Sequence, residues 1–211
     1  MKRPRLLAAD DHSIVMAGIR ALIEHDWELV GQVDNGQSLV EEALSLRPDL
    51  IILDIGLPVL NGIDAARQIR LQWPEAKLLF LTMHANRMYL REAMRVGGLG
   101  YVLKTSAAEE LKTAIQRVLK GQVYISPSLD ADALEDLRTP GRHSASIYLT
   151  DRQRQVLQLV AEGATNREIA RILSVSIKTA QFHRGQIMRK LGVHSSVKLA
   201  AYAVKEGLIS G

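Results

Sequence analysis

Short apolar runs alternate with stretches of helical periodicity through the first 120 residues of the 211-residue chain. Runs that lack polar alternation are typical of strands buried on both faces of a parallel sheet, and their regular alternation with helices indicates βαβ units. We therefore predict an α/β domain built on a five-stranded, doubly wound parallel sheet. Its strands should lie at 5–9, 28–33, 50–53, 77–82 and 100–103, and its helices at 13–25, 37–46, 63–72, 87–96 and 107–119.

The pattern changes after residue 122 and again after residue 147. Residues 123–147 contain Pro140, Gly141 and several serines, a composition typical of a linker, with room for a short helix at 128–138. From residue 148 onward every periodic stretch is helical, and no strand is predicted. We expect three parts: a domain at 1–122, a linker at 123–147 and an all-α domain of four helices at 148–211.

Polar residues in cap positions mark three helix starts in the second domain. Two capping boxes and one serine cap are expected, formed by Thr150 with Gln153, Thr165 with Glu168, and Ser176. A short helix at 166–173, a tight turn and a longer helix at 177–190 make the helix-turn-helix arrangement. Helices at 151–161 and 195–205 complete the domain.

The longer helix has two distinct faces. The side chains expected to pack inward at helical spacing are Ile177, Ala180, Ile187 and Leu191. The opposite stripe carries Lys178, Gln181, Phe182, Gly185 and Arg189. A helix of this width fits the major groove, where Gln181 can pair with an adenine edge and Phe182 can touch a thymine methyl group. Phosphate contacts are expected from Lys178, Arg184, Arg189 and Lys190.

Composition and charge agree with a two-part chain. Residues 1–126 carry 15 Lys/Arg and 15 Asp/Glu, whereas residues 148–211 carry ten basic against four acidic residues, which indicates that the second domain meets a polyanion. The absence of cysteine excludes disulfides, thiolate metal sites and cysteine nucleophiles. The apolar stretch Leu6 to Ala9 is too short for a signal peptide, and no run reaches the ~20 residues of a membrane span. We expect a cytoplasmic protein with no membrane contact.

Acidic residues follow two strands of the predicted sheet. Asp10 and Asp11 come directly after the first strand, and Asp54 follows the third. Ligands bind beyond the carboxyl ends of parallel strands, so the three carboxylates should meet at one edge. At about 4 Å and an effective dielectric near 20, each pair of charges repels by about 4 kcal/mol. A cation is therefore required, and oxygen ligands favour Mg²⁺.

The same edge carries groups suited to phosphoryl transfer. We predict Asp11 and Asp54 as direct metal ligands, Asp10 as a ligand through water, and the carbonyl of Gly56 as a further ligand. Asp54 can also attack phosphorus to form an aspartyl phosphate. Two residues at further strand ends can bind the transferred group, by an ion pair and a hydroxyl hydrogen bond respectively; they are Lys104 and Thr82.

These positions resemble a response-regulator receiver domain, which has a flavodoxin-like fold. The matching residues are Asp10-Asp11, Asp54 with Leu57-Pro58 and Asn61-Gly62, Thr82, Tyr101 and Lys104. The resemblance implies that Asp54 takes its phosphoryl group from a sensor histidine kinase, that Thr82 moves toward the phosphate, and that Tyr101 swings inward. His12 is expected only to open the first helix, and His84 only to border the pocket.

Another class with a strand-end Asp and magnesium is the haloacid dehalogenase phosphatases. They need a second Asp two residues after the nucleophile as general acid, and here that position is Gly56. We therefore expect no turnover of external substrates: the protein is not an enzyme and has no catalytic residues of that kind.

The second domain resembles the LuxR-type helix-turn-helix that accompanies receivers in NarL/FixJ regulators. The matching motifs include Thr165-Asn166, Glu168-Ile169-Ala170, Lys178-Thr179, His183-Arg184 and Arg189-Lys190-Leu191-Gly192. The resemblance adds Thr179 and His183 to the DNA-binding residues. It also favours a dimer contact for the last helix, whose Val197, Ala200, Ala201 and Val204 could instead pack in the core.

The function expected is that of a DNA-binding transcriptional response regulator whose phosphorylation controls dimerisation and promoter binding. We hypothesise that phosphorylation frees the DNA-binding face from the receiver. The partners expected are a sensor histidine kinase, double-stranded DNA, a second copy of the chain and RNA polymerase. A phosphorylated adaptor that acts through proteins is the alternative from another class.

Overall fold

The computed structural model describes residues 3–85, 87–129 and 149–205. Most of the predicted linker, including nearly all of the short helix expected at 128–138, lies outside these residues. The described chain forms an α/β unit followed by a helical unit. This is the predicted class, and the element types agree with those read from the apolar patterns.

The α/β unit is built on one parallel sheet. Its strands are β1 (Arg5–Ala9), β2 (Glu28–Val33), β3 (Leu50–Leu53), β4 (Leu78–Thr82), β5 (Gly100–Leu103) and β6 (Tyr124–Ile125). They lie in the order β2-β1-β3-β4-β5-β6, and every neighbouring pair is parallel. The order reverses at β1, so the carboxyl ends of β1 and β3 flank the crevice where such sheets bind ligands.

Helices cover both faces of the sheet. They are α1 (Ser13–Ile23), α2 (Gly36–Leu46), α3 (Gly62–Gln72), α4 (Arg87–Arg95) and α5 (Ala107–Leu119), with a 3₁₀ turn at Lys104–Ser106 before α5. Side chains of α1 and α5 share one apolar core with Leu6, Ile52 and Leu79, whereas α2, α3 and α4 share the other with Leu7 and Phe80. Burial on both faces explains why the central strands are continuously apolar.

The sheet has a sixth strand, which the five-stranded prediction did not include. β6 pairs with β5 through Gly100 and Tyr101, and the amide of Ser126 donates to the carbonyl of Tyr101 at 2.8 Å. The Ser126 hydroxyl is completely buried and bonds to Glu110 on α5. A strand of two residues is too short to show any periodicity, so the start of the predicted linker carried no strand signal.

The helical unit contains α6 (Asp151–Ala161), α7 (Asn166–Ile172), α8 (Ile177–Leu191) and α9 (Ser196–Lys205). Both predicted capping boxes and the Ser176 cap are present at the starts of α6, α7 and α8. The core consists of apolar residues from all four helices, including Val156, Ile169, Ile187 and Leu199. Gly192, with a φ of 64°, ends α8 in the left-handed conformation that glycine favours.

Within the described residues, no helix combines the length and the apolar character that a membrane crossing demands.

The close approach of α2 to the loop after β3 gives a test of the packing. A Cβ atom on Gly36 would lie 1.7 Å from the carbonyl oxygen of Leu60, whereas one on Gly18 in α1 would meet nothing within 4 Å. We expect Gly36→Ala to lower the free energy of unfolding by about 1–3 kcal/mol through overpacking. Gly18→Ala should instead raise it by up to about 1 kcal/mol through helix propensity.

Urea denaturation of both variants measures the difference. Equal free energies of unfolding for Gly36→Ala and wild type would show that α2 does not pack against this loop as described.

Candidate functional site: an acidic pocket and a basic helix

The acidic pocket forms where two neighbouring strands end. Ala9 of β1 lies beside Leu53 of β3 in the sheet register, so the residues that follow them are brought together. Asp10, Asp11, His12 and Asp54 each offer one ligand atom, and these four atoms lie within 4.8 Å of one another. The structure therefore assembles the three carboxylates that the sequence predicted at one edge, and adds His12 to the cluster.

Lys104 supplies the positive charge that this cluster needs. Its Nζ atom lies 2.7 Å from Oδ2 of Asp54 and 2.8 Å from Oδ2 of Asp10, and all three side chains are buried. Burial lowers the pKa of the Lys104 ammonium, but the two carboxylates raise it by more, so its pKa lies above the usual value. The lysine stays charged and holds the two strand ends together.

The carboxylate of Asp54 is held from its own backbone as well. Its Oδ1 atom accepts a hydrogen bond from the amide of Ile55 at 2.6 Å, while Oδ2 accepts from Lys104. A carboxylate with two charge-stabilising donors is fixed in orientation. In the same way, Oδ1 of Asp10 accepts from the amide of His12 at 3.0 Å at the start of α1. His12 opens the first helix, as predicted.

Thr82 is the last residue of β4 and Tyr101 the second residue of β5, and both are completely buried. The Tyr101 hydroxyl donates to the carbonyl of His84 at 2.7 Å, so its ring already points inward in this structure. Burial, with additions from Tyr89 and Asp54, raises the pKa of the Tyr101 hydroxyl. Burial also lowers the pKa of His84, and the charges of Asp54 and Lys104 act on the same ring. His84 therefore borders the pocket.

The loop that follows Asp54 leads directly into α3. Asn61 caps this helix by accepting from the amide of Asp64 at 2.9 Å. A Cβ on Gly62 would lie 1.9 Å from the carbonyl oxygen of Asp54, so only glycine fits here. The Asn61-Gly62 pair was recognised in the sequence as a turn, but its contact with Asp54 depends on the fold. Gly56 lies in the same loop, half-buried.

The donor set of the pocket suits a hard divalent cation. Three carboxylates converge on one point, and oxygen is the ligand that Mg²⁺ prefers. The imidazole of His12 is already engaged, since its Nδ1 lies 2.9 Å from Asp11 and 3.2 Å from Asp10. The residues that could hold the ion are therefore the three aspartates rather than the histidine.

The second candidate surface is the outward face of α8. Exposed side chains on it are Lys178, Gln181, Phe182, Arg189 and Lys190, and partly buried ones are Thr179, His183 and Arg184. Phe182 is 58% exposed, so this large apolar side chain does not serve as part of the domain core. The expectation for Ile177 is wrong: it is 45% exposed because it lies in the first turn of α8, at the rim of the core.

Two of the predicted phosphate-binding residues are already engaged inside the domain. Arg184 donates to Oδ1 of Asn166 at 3.2 Å and to the hydroxyl of Ser196, so it ties α8 to α7 and α9. Lys190 donates to Oε1 of Gln153 at 2.9 Å. These contacts orient the two long side chains along the helix surface.

Hydrogen bonds between the helical unit and the α/β unit come from α6. Gln158, Glu162 and Arg154 of α6 bond to the loop after β3 and to the start of α3. The hypothesis that the first unit covers the outward face of α8 does not agree with this arrangement, because Lys178, Gln181 and Phe182 on that face are exposed. None of these three α6 residues was predicted from the sequence, although Gln158 interrupts the apolar run Val156-Leu157-Gln158-Leu159-Val160.

Two family models match this chain, one in each unit. The response regulator receiver domain matches residues 6–116, and the bacterial regulatory proteins of the luxR family match residues 148–203. The chain is a response regulator. Its C-terminal unit belongs to the luxR family of DNA-binding domains, as the resemblance implied.

Whole-length relatives agree with this assignment. The transcriptional regulatory protein MctR of Rhizobium johnstonii is 34% identical over 208 residues, covering 98% of this chain and 95% of MctR. The oxygen regulatory protein NreC of Staphylococcus aureus is 32% identical, covering 97% of this chain and 99% of NreC. The structure of the RcsB response regulator of Salmonella typhimurium has a TM-score of 0.67 and 29% identity, covering 97% of this chain and 98% of RcsB.

This response regulator is a DNA-binding transcription regulator. Its two family matches identify a regulator rather than an enzyme, even though the receiver takes part in phosphoryl transfer. The flavodoxin-like fold of the receiver and the helix-turn-helix of the second unit are confirmed, with one more strand than predicted.

The pocket's ion pairs give a test of its energetics. Removing the charge with Lys104→Met leaves two buried carboxylates without their cation, which should lower the free energy of unfolding by about 3–5 kcal/mol in chelator-treated buffer. The matched control is Lys112→Met, because Lys112 pairs with Asp26 at 3.3 Å on the exposed surface. That loss should be at most about 1 kcal/mol.

Denaturant titration at neutral pH compares the two variants. Similar losses at both lysines would contradict a structural role for the buried ion pairs.

Proposed function

We propose that Asp54 accepts a phosphoryl group from a sensor histidine kinase and that this modification controls the DNA-binding activity of the regulator. The observation that carries the proposal is the buried triad of Asp54, Asp10 and Lys104 at the carboxyl ends of the strands. An Oδ atom of Asp54 forms the new bond to phosphorus while the bond between phosphorus and the kinase histidine breaks. The imidazole leaves with the electron pair of that bond.

The residues around Asp54 would bind the metal ion and the phosphoryl oxygens. Asp10, Asp11 and Asp54, with the carbonyl of Gly56, would hold Mg²⁺, which neutralises charge on the transferred group when bound. The ammonium of Lys104 exchanges its contact with the Asp54 carboxylate for one with the phosphoryl oxygens. The Thr82 hydroxyl donates a hydrogen bond to the same oxygens, and Tyr101 responds to the movement of Thr82.

The DNA-binding surface is the outward face of α8. Lys178, Arg184, Arg189 and Lys190 bind phosphates, and Gln181 and Phe182 read base edges in the major groove. Thr179 and His183 complete the set. The structure of an RcsB–DNA complex is similar to this chain, with a TM-score of 0.59, 29% identity and coverage of 96% of this chain and 98% of RcsB. The net charge of +6 on residues 148–211 supports a polyanionic ligand.

The assembly proposed on DNA is a homodimer formed through α9. Leu199 and Ala203 of this helix face the core, whereas Val197 is 78% exposed and Val204 45% exposed. These two valines lie seven residues apart on one helix face, where a second copy could bury them. A two-fold dimer would read two half-sites related by symmetry. We further propose that the protein works in the cytoplasm, where RNA polymerase is a further partner.

The acceptor assignment is tested by isotope labelling. With acetyl phosphate and Mg²⁺, wild type should become phosphorylated and shift toward a dimer in gel filtration. Asp54→Asn should show neither change, because an amide oxygen is too weak a nucleophile. Asp49→Asn is the matched control, since Asp49 lies near the opposite end of β3. Undiminished labelling of Asp54→Asn would place the acceptor elsewhere.

The DNA-binding assignment is tested by the salt dependence of binding. Lys178→Ala should weaken binding to all sequences and reduce the slope of log affinity against log salt by about 0.9 for each phosphate that the variant no longer neutralises. Lys120→Ala, which removes an exposed lysine of the receiver, should leave the slope unchanged. Equal slopes for Lys178→Ala and wild type would remove this face of α8 from the DNA interface.

A further inference from the structure

Three polar side chains on α6 contact the receiver next to its acceptor residue. Arg154, Gln158 and Glu162 recur at intervals of four residues and therefore lie along one stripe of the helix. Nε of Arg154 lies 3.3 Å from Oδ1 of Asp64 in the first turn of α3. The other two side chains bind the loop between Asp54 and α3. We call these three residues the α6 clamp.

Gln158 bridges two backbone groups of this loop. Its Nε2 donates to the carbonyl of Leu57 at 2.8 Å, and its Oε1 accepts from the amide of Asn61 at 2.9 Å. Gln158 is completely buried, and a buried amide is costly unless its polar atoms are bonded. Both hydrogen bonds join α6 to the first domain, so the polar atoms of Gln158 find these partners only while the two domains are in contact.

Glu162 holds the middle of the same loop. Its Oε1 and Oε2 accept from the amide of Val59 at 3.2 and 3.4 Å, and its Oε1 also accepts from Gln158. Val59 has a φ of 68°, a left-handed conformation that is rare and strained for a β-branched residue. Such strain persists only where surrounding contacts hold it. The clamp supplies these contacts from one side.

The opposite side of the loop is closed by α2. The amide of Gly36 donates to the carbonyl of Pro58 at 3.2 Å, and the Leu60 carbonyl lies against the same glycine. Residues 57–61 are thus enclosed between α2 and α6 and cannot shift without breaking one of these contacts. Because the loop begins three residues after Asp54, its position affects the surroundings of the acceptor.

Glu162 also bears a charge that interacts with Asp11 of the acidic pocket. Although part of the side chain keeps solvent contact, burial of the carboxylate raises its pKa, and repulsion by Asp11 raises it further. The charges of Glu162 and Asp11 therefore repel one another. Any phosphodonor is an anion, so this charge opposes its approach.

We propose that the α6 clamp is a brake on Asp54: while it grips residues 57–61, the DNA-binding domain slows phosphoryl acceptance, and Gln158 is the positioning residue. The inference rests on the proposed role of Asp54. The clamp lowers the equilibrium stability of phosphorylated Asp54 as well as the rate at which it forms. Because equilibrium coupling is reciprocal, phosphorylation weakens the docking of α6. The control acts on the receiver's chemistry instead of covering the recognition helix, which stays exposed.

The experiment compares two charge substitutions on one helix in the full-length chain. Gln158→Glu replaces the donor to Leu57 with an oxygen and adds a charge beside Glu162, so docking should be lost. Gln155→Glu is the matched control, because Gln155 accepts its hydrogen bond at 3.1 Å from Arg152 of the same helix. Acetyl phosphate with Mg²⁺ is the donor: an Asp54 oxygen bonds to phosphorus as the phosphorus–oxygen bond breaks and acetate leaves.

We expect Gln158→Glu to be labelled about 5-fold or more faster than wild type, a barrier lower by about 1 kcal/mol, and Gln155→Glu to match wild type. Hydrogen exchange of the Val59 and Asn61 amides should accelerate in the same variant, which a general loss of stability would not confine to this loop. Glu162→Gln keeps an acceptor for Val59 and removes the charge, so it should give a smaller acceleration.

The possible results distinguish a failure of the brake from a failure of the assignment of Asp54 as the acceptor. Labelling that survives Asp54→Asn would overturn the acceptor assignment. Labelling at Asp54 with equal or lower rates in Gln158→Glu, while the loop amides exchange faster, would overturn the brake. Unchanged rates and unchanged exchange would also overturn it, because the clamp would then not grip the loop in solution.

Discussion

The ammonium of Lys104 between Asp10 and Asp54 is the interaction on which the site depends. Carboxylates about 4 Å apart repel one another by about 4 kcal/mol at an effective dielectric near 20, and the parallel sheet offers no means of separating them, because β1 and β3 are neighbours. The lysine resolves this conflict in the absence of a phosphoryl group, with contacts of 2.7 and 2.8 Å. The same cation is then in place to meet the anion that the proposed reaction delivers.

Much of the fold follows from the chain alone because the α/β unit obeys local rules. Strands such as Leu50–Leu53 are continuously apolar since both faces are covered, and residues at their carboxyl ends share one edge by topology. The site aspartates were therefore predictable without coordinates. β6 was not, because two residues show no period. The exposure of Ile177 was missed because helical spacing specifies a face but not whether its first turn reaches the core.

The contacts of α6 illustrate a different limit. Gln158 and Asn61 lie 97 residues apart, and no periodicity in either segment connects them. What the sequence does contain is one glutamine inside an otherwise apolar run of five residues. In a single isolated domain that position would be a fault in the core, since a buried amide needs partners. The partners come from the other domain, so an interrupted apolar run is here the mark of an interdomain contact.

The position of α6 lets one helix serve three neighbours. Its apolar side packs into the helical core with α8 and α9, and its polar stripe faces the receiver. Control between distant sites requires an element with two discrete arrangements that both sites bias. We propose the loop containing Val59 as this element, because its strained backbone is held by contacts from both domains and it begins three residues after Asp54. Releasing that loop would remove strain and free the α6 stripe together, so the acceptor's modification and the separation of the domains would be one event rather than two.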